Sequence, residues 1–423
     1  MKQMKVLLLG LGSAGDVHPN VALGVELKRR GHEVVLVAAS VFRDLAAQAG
    51  LEFYGLGTDE EHYAIIRNPN LWHPMKAFSL VAEHIILEWM RPVYEFIGQN
   101  YEPGRTIVAA PGTAFGARIA QEKLGVPLAT MHLQPSLLRS SLDPACYTIP
   151  DIVKPMPVWL RKVYYRAIDW LEIDRLLLKG TNAFRRELGL PAVHRVFDGW
   201  LHSTQLVIGL FPYWFAPQPA DWPTHFHYTS FPLWDEGNVR KPDPELEKFL
   251  SESDAPYVFT AGSANMHGHK FFHIAAETCV ASKRRGIMIA KFPEQIPSPL
   301  PEGVRHFEYI PFSQVLPRAA AFVHHGGIGT TAQSFVAGVP QLVMPLAHDQ
   351  FDNALRVKRL GTGDFLLPRN FKAGAVAQML QGLTGSPEIR ANCRQCARDL
   401  ADARPLETTC ALLEGLIPPV PGA

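Results

Sequence analysis

No stretch of this 423-residue chain approaches the roughly 20 consecutive apolar residues that a membrane-crossing helix needs, because every apolar run is soon broken by charge, Gly or Pro. That excludes a helical span. The N-terminal run Met4–Leu11 lacks a small-residue cleavage pattern and leads into glycines, so we read it as a first buried strand rather than a signal peptide. Cysteine is scarce: five residues, at 146, 279, 393, 396 and 410, are too scattered for a disulfide framework, and an odd count leaves one thiol unpaired in an oxidising compartment. A reduced, cytoplasmic setting is expected. Charge of one sign is missing too. Lys+Arg 41 against Asp+Glu 40 gives a net charge of +1, which provides no field to gather phosphate backbones, so no nucleic-acid partner is expected. Any membrane contact would be peripheral, at the inner face.

What the chain does have is length and 47% hydrophobic residues, enough for two domains. Short β-branched runs alternate with longer amphipathic segments, the pattern of parallel strands joined by crossover helices. The strand candidates are 5–9, 33–38, 106–110, 127–132 and 205–210 in the first half, and 257–261, 286–290, 304–307, 320–324 and 341–344 in the second. The fold class is therefore α/β. Pro212, Pro217, Pro219, Pro223, Pro232, Pro242 and Pro244 crowd the middle of the chain, where missing amide donors forbid a continuous helix or a central strand. This sets expected boundaries: a domain over 1–215, a linker over 216–244, a second domain over 245–400, and a tail over 401–423 that starts helical and ends in Pro418, Pro419 and Pro421.

The first strand runs into Gly10-Leu11-Gly12-Ser13-Ala14-Gly15, which satisfies the G-x-G-x-x-G pattern of a dinucleotide site. The acidic residue that NAD requires at the end of the second strand is absent; Ala38, Ala39 and Ser40 stand there. An NADP-dependent oxidoreductase survives as an alternative, with Ser40 and Arg43 on a 2′-phosphate. The next residues, Asp16-Val17-His18-Pro19, put two ionisable groups at a strand-to-helix turn, with Pro19 suited to a first helical position. Asp16 is either a general base or a helix cap; a capping carboxylate is held with a lowered pKa and is the weaker base. His18 is the other candidate base.

The more specific signal is Phe322-Val323-His324-His325-Gly326-Gly327-Ile328-Gly329-Thr330-Thr331, a strand ending in a Gly-rich turn that opens a helix, where anions bind. The two histidines point to opposite sides of an extended segment, so one packs and the other faces a cleft, and they do not chelate one metal. Downstream, a strand ends at Pro345, followed by His348-Asp349-Gln350. Asp349 and Gln350 either cap the helix over 353–359 or form a fork for sugar hydroxyls. Cys393-x-x-Cys396 has no second pair, and His225, His227, His267 and His269 have no ligand spacing, so no metal is assigned.

Gly-Asp-Val-His-Pro in the first half, with His-His-Gly-Gly-Ile-Gly-Thr, Gly-Val-Pro and Asp-Gln in the second, resembles the nucleotide-sugar glycosyltransferases of the GT-B fold, family 1 type, over essentially the whole chain. More narrowly, Gly-Ser-Ala-Gly-Asp-Val, Val41-Phe42-Arg43-Asp44, Glu122-Lys123-Leu124-Gly125, Phe215-Ala216-Pro217, Asp221-Trp222-Pro223 and His348-Asp349-Gln350-Phe351-Asp352-Asn353 are similar to bacterial rhamnosyltransferases of rhamnolipid synthesis.

The resemblance implies two Rossmann-like domains with mostly parallel sheets facing across a cleft, and an inverting, metal-independent enzyme without a cofactor. Its co-substrate would be dTDP-L-rhamnose, and the acceptor a hydroxyl of a 3-hydroxyacyl lipid. The alternative within the family is a UDP-sugar transferase acting on a small natural product, and a non-catalytic partner of another transferase is a third possibility. Asp16 matches the catalytic base. Donor binding falls to Gly12, Ser13, Ser263, His325, Gly327, Gly329, Thr330 and Thr331 around the phosphates, to Tyr309, Ile310 and Phe312 at the base, and to Gln333, Asp349 and Gln350 on the sugars. Gln333 stands where many plant members carry Glu, which is compatible with a deoxyribose donor. On the acceptor side are His18 and Trp72, together with the apolar stripe holding Phe78, Ile85 and Trp89. That stripe is either core or an acyl slot, and Pro92 is expected to kink its helix.

Overall fold

Residues that alternate between buried β-branched runs and amphipathic segments have one economical arrangement: a parallel sheet whose crossover helices cover both faces. The computed structural model describes residues 3–147, 150–197, 199–235, 237, 243–252 and 254–417, and it places the chain in two units of this kind. Unit 1 comprises Met1–Leu71, Met75–Pro232 and Arg404–Ala423; unit 2 comprises Trp72–Pro74 and Leu233–Ala403.

Unit 1 is built on seven strands: β1 (Lys5–Gly10), β2 (Glu33–Ala39), β3 (Glu52–Leu56), β4 (Thr106–Pro111), β5 (Leu128–His132), β6 (Leu206–Gly209) and β7 (Phe226–Tyr228). They lie in the order β3-β2-β1-β4-β5-β6-β7. All neighbours are parallel, with Lys5 opposite Glu33 on one side and Thr106 on the other. Val6, Leu7, Leu8 and Leu9 have no exposed surface, as expected of a central strand covered on both faces. The order reverses between β1 and β4, the switch point at which open α/β sheets leave a crevice beyond their carboxyl ends.

Two boundary expectations need correction. The proline-rich stretch after Phe211 is not a free linker, because β7 pairs with β6 and Trp222, Phe226 and Phe231 are buried. The prolines flank a three-residue edge strand rather than interrupt it. The chain passes to unit 2 only after Pro232. The tail is not separate either. Its helix Pro405–Glu414 lies against helix Ala14–Arg29, with Leu413 and Cys410 fully buried. Glu414 receives Arg30 at 3.2 Å and His32 at 3.0 Å. Burying a leucine of this kind contributes about 1.5–3 kcal/mol. Pro242, Pro418, Pro419 and Pro421 lie outside the described residues.

Unit 2 repeats the design with β8 (Tyr257–Thr260), β9 (Gly286–Ile289), β10 (Val304–Phe307), β11 (Ala321–His324), β12 (Gln341–Val343) and β13 (Gly363–Phe365). The order is β10-β9-β8-β11-β12-β13, parallel throughout, with its switch point between β8 and β11. Among the described residues, no helix is long and apolar enough to cross a membrane.

Candidate active site

In unit 1 the chain leaves β1 at Gly10, turns, and enters helix Ala14–Arg29 with Ser13 as an extended N-cap. Asp16, in the first turn, accepts the Ser13 amide at 2.8 Å and the Ser13 hydroxyl at 3.2 Å on the same oxygen, Oδ2. Gly12 has φ +143°, and a Cβ there would stand 2.3 Å from that oxygen, so only glycine admits the carboxylate. Burial pushes Asp16 up from 3.8 to about 6, against the downward pull of the two Ser13 bonds. The lowered pKa expected of a capping carboxylate is thus corrected: the side chain makes the cap, but desolvation outweighs it. Asp16 is thus a fixed carboxylate held at about 6.

The same geometry answers the dinucleotide alternative. The Ser13 amide and hydroxyl that a pyrophosphate would use are taken by a carboxylate, which would also repel it. Gly12 and Ser13, expected on the donor, are committed to Asp16. His18 lies in the second turn, half-buried. Pro19 is not at the first helical position, because the helix begins at Ala14. Its missing amide falls where the Gly15 carbonyl would look for a donor, and Asn20 Nδ2 adds a bond to the Asp16 carbonyl at 2.8 Å.

The apolar stripe divides. Ile85 and Trp89, each half-buried, pack against the core cluster of the sheet. Phe78, 36% exposed, instead lines a cavity of about 30 Å³ with Ile86, Phe115, Leu177 and Leu201. The helix is broken by a π-type turn over Ala82–Leu87 and resumes at Met90. Pro92 therefore sits in a first turn, where its missing amide costs nothing, and it is not the source of the kink.

In unit 2 three strand ends converge at the switch point. Past β8, Gly262 (φ +96°) is followed by exposed Ser263; past β11 comes His325-Gly326-Gly327, and past β12 Pro345–Asp349. His324 is the packed member of the histidine pair. It is fully buried, takes the Gly326 amide on Nδ1 at 3.1 Å and meets Gln341 Oε1 through Nε2 at 3.1 Å, so Nε2 carries the proton. His325 is wedged between glycines: a Cβ on Gly262 would lie 2.7 Å from its Cε1, and one on Gly327 2.6 Å from its Nε2. Burial, with His348 adding to it, holds His325 near 4, so the free imidazole is neutral. Its Nδ1 is buried without a hydrogen-bond partner. Helix Ile328–Ala337 starts directly after Gly327, and its first-turn amides have no intrahelical acceptor. Neutral imidazole, free amides and a dipole end together suit an anion.

Several candidates of unit 2 are spent elsewhere. Thr331 is fully buried and its hydroxyl bonds the Gly327 carbonyl at 3.0 Å, leaving Thr330 and Gly329 as the half-exposed groups of the turn. Gln350 is 2% exposed, and its Oε1 takes the amides of Leu346 and Ala347 at 2.7 and 3.2 Å. It braces the loop and is not half of a sugar fork. Asp349 occupies the N-cap position of helix Gln350–Arg359 without capping it; its Oδ2 receives Asn353 at 2.6 Å. Ile310 is core, so only its backbone could meet a base. Phe312 packs partly on the same core, Tyr309 is exposed, and Gln333 is half-buried. Trp72, expected on the acceptor side, belongs to unit 2, edge-on to His325 at 6.4 Å and to His348 at 6.1 Å between ring centroids.

Comparison with known proteins decides the family. Residues 6–141 match the glycosyltransferase family 28 N-terminal domain, and residues 287–414 match the erythromycin biosynthesis protein CIII-like C-terminal domain. The O-mycaminosyltylonolide 6-deoxyallosyltransferase of Streptomyces fradiae is 30% identical, covering 97% of each chain. The chain belongs to the glycosyltransferases. Its fold is that of solved glycosyltransferase structures: CalG4, the calicheamicin glycosyltransferase, superposes with a TM-score of 0.71 at 22% identity over 99% of both chains. VinC in complex with dTDP superposes with a TM-score of 0.69 at 19% identity, over 98% of this chain and 99% of that one.

Some residues of this glycosyltransferase that carry the narrower likeness turn out to be structural. Glu122 pairs with Arg118 at 3.0 Å, with Arg185, and with the Trp200 indole at 3.0 Å. Asp221 ties down Ser140 and Ser141 at 2.6 and 2.7 Å. They hold loops of unit 1 rather than chemistry. Sequence reasoning missed Asn353, whose Nδ2 also bonds the Gly326 carbonyl at 2.9 Å and so fixes the anion turn. It also missed buried His132 at the carboxyl end of β5, whose Nε2 lies 3.1 Å from Nδ1 of half-buried His202 while its own Nδ1 is unpartnered; a histidine closing a strand that is apolar but for Thr130 was the available signal. All five cysteines are buried and free, including Cys393 and Cys396. Among the described residues no cluster of three His, Cys, Asp or Glu could hold a metal ion.

Proposed function

We propose that this enzyme transfers a 6-deoxyhexose from a dTDP-sugar to a hydroxyl of a small natural product, with inversion and without a metal or cofactor. The observation that carries the reading is Asp16, a carboxylate fixed by Ser13 and raised to about 6 by burial. In the step proposed, the acceptor oxygen attacks the anomeric carbon as the bond to the β-phosphate oxygen breaks; Asp16 takes the hydroxyl proton and the nucleoside diphosphate leaves. A carboxylate is far too weak to deprotonate a free alcohol, so proton transfer must accompany bond formation, in a site that excludes water. The leaving diphosphate would be received by the His325–Thr330 turn, an oxyanion-type site in which each essential donor is worth about 3 kcal/mol. The 6-deoxyallosyl relative and the dTDP complex support the donor class.

The test is a mass-spectrometric screen of dTDP- and UDP-sugars against polyketide alcohols and 3-hydroxyacyl lipids, with and without EDTA. Transfer from a dTDP-6-deoxyhexose to a polyketide alcohol, unaffected by EDTA, supports the reading. A strong UDP preference or a strict need for a divalent ion refutes it.

One observation favours a second reading, dTDP-L-rhamnose transfer to a 3-hydroxyacyl lipid at a membrane surface. Helix Val158–Ile168 has no buried residue, with Trp159 66% exposed and Trp170, just beyond it, 73%. Between Asp151 and Asp169 the chain carries Lys154, Arg161, Lys162 and Arg166 and no acid. An apolar, basic helix suits an anionic lipid surface. Co-sedimentation with phosphatidylglycerol vesicles, lost in Trp159→Ala/Trp170→Ala and absent with phosphatidylcholine, would support it; no binding to either would remove it.

A further inference from the structure

Two polar ring atoms at the anion turn of unit 2 are buried without partners: Nδ1 of His325 and Nε1 of Trp72. An indole N–H is a donor and nothing else, so it can be satisfied only by an acceptor that comes to it. A fold that buries such a group and leaves it unpaired bears its full desolvation cost. The Trp72 ring stands nearly perpendicular to both neighbouring imidazoles, at 89° to His325 and 81° to His348. His348 itself is held at φ +59°, a left-handed conformation uncommon for a residue with a side chain and often found at functional sites. Around one small region, then, lie an orphan indole donor, an orphan imidazole nitrogen, a strained histidine and the free amides that open helix Ile328–Ala337.

We infer that Trp72 is a donor-binding residue whose indole N–H takes an oxygen of the nucleotide diphosphate held at the His325–Thr330 turn. The inference rests on the proposal that this turn receives the donor, and it adds a residue that the family motifs do not assign. The diphosphate supplies the missing acceptor, while the indole ring stays against the two histidines and fixes their rings. A sugar or base oxygen would satisfy the N–H equally, so the ligands tested must separate phosphate from nucleoside.

Trp72→Phe keeps an aromatic ring against His325 and His348 and removes only the donor. Calorimetric titration of the full chain with dTDP and with thymidine, UDP and uridine serving as the second pair, reads the effect. Loss of a hydrogen bond to a charged group should weaken diphosphate binding about tenfold to a hundredfold, with nucleoside binding unchanged. Equal diphosphate affinity in Trp72→Phe and wild type overturns the inference, as does an equal loss for nucleoside and diphosphate. Should Trp72→Phe fail to fold, the wild-type protein still decides. One indole N–H proton resonance, assigned through Trp72→Tyr or by comparison with the other tryptophans, must move on adding dTDP and stay fixed with thymidine; no such movement refutes it. If wild type binds neither diphosphate, or His325→Ala binds it as well as wild type, the anion-turn proposal itself fails and Trp72 with it.

Discussion

Replacing Asp16 by Asn should abolish transfer while making the protein more stable, and the size of the gain should depend on pH. The rise of the carboxyl from 3.8 to about 6 means that between these values the folded chain keeps a proton that the unfolded chain has released. Stability then falls as pH rises through this window and levels off above about 6. The full difference corresponds to about 3 kcal/mol at pH 8, of which about 1.4 kcal/mol accrues between pH 5 and pH 8. Asn does not titrate, has nearly the same shape, and can still accept the Ser13 amide through its carbonyl. Urea unfolding of wild type and Asp16→Asn at pH 5, 6, 7 and 8 should therefore show the variant's advantage widening with pH by about that amount. In parallel, wild-type kcat/KM should fall as pH drops through about 6, as the base protonates. A pH-independent stability difference, or a wild type that gains on the variant as pH rises, would refute a half-buried, proton-holding Asp16. Unchanged turnover in the variant would refute the base.

Gly262→Ala places a methyl 2.7 Å from His325 Cε1 at φ +96° and should weaken dTDP binding tenfold or more by calorimetry, with the Asp16 pH profile unchanged. His324→Phe removes the contacts to Gly326 and Gln341 and leaves both without their partner; a loss of about 2 kcal/mol in thermal unfolding is expected, together with weaker nucleotide binding as the turn loosens.

How much of this was legible in the sequence follows from burial. The ten strand candidates all correspond to strands within a residue or so at either end: nine are interior strands, covered on both faces and therefore mostly apolar in sequence, while the tenth, Val304–Phe307, is an edge strand marked by the buried Val and Phe at its two ends. The three strands with no counterpart in the sequence reading, β3, β7 and β13, are edge strands. Glu52–Leu56 alternates exposed and half-buried residues before its last position, Phe226–Tyr228 has a single buried residue, and so does Gly363–Phe365. A half-covered edge carries a weak pattern, and three residues carry almost none.

The site was legible to the level of turns and not of side chains. Gly-rich turns do stand at the strand ends of both units, where the sequence places them, but spacing does not say whether a hydroxyl or amide faces outward. Thr331 and Gln350 sit beside groups that do face outward, and their own polar atoms close the backbone of the turn. Trp72 is far in sequence from the two histidines its ring meets, so no local pattern could place it.

Asp16 joins two requirements that oppose each other: a first-turn carboxylate is fixed by bonds that lower its pKa, and a base at neutral pH needs it raised. Burial resolves the conflict, since desolvation raises the pKa without loosening the geometry. Ser13→Ala tests this division. It removes the 3.2 Å hydroxyl bond and keeps the 2.8 Å amide bond, so the carboxylate stays in place with one stabilising contact fewer. A lost hydrogen bond to a charged group moves the titration upward by about one pH unit. The acid limb of kcat/KM should shift to higher pH by that amount, with the plateau above it retained. If the limb stays where it was while the plateau collapses, the hydroxyl acts on the substrate rather than on Asp16, and the acid limb reports another group.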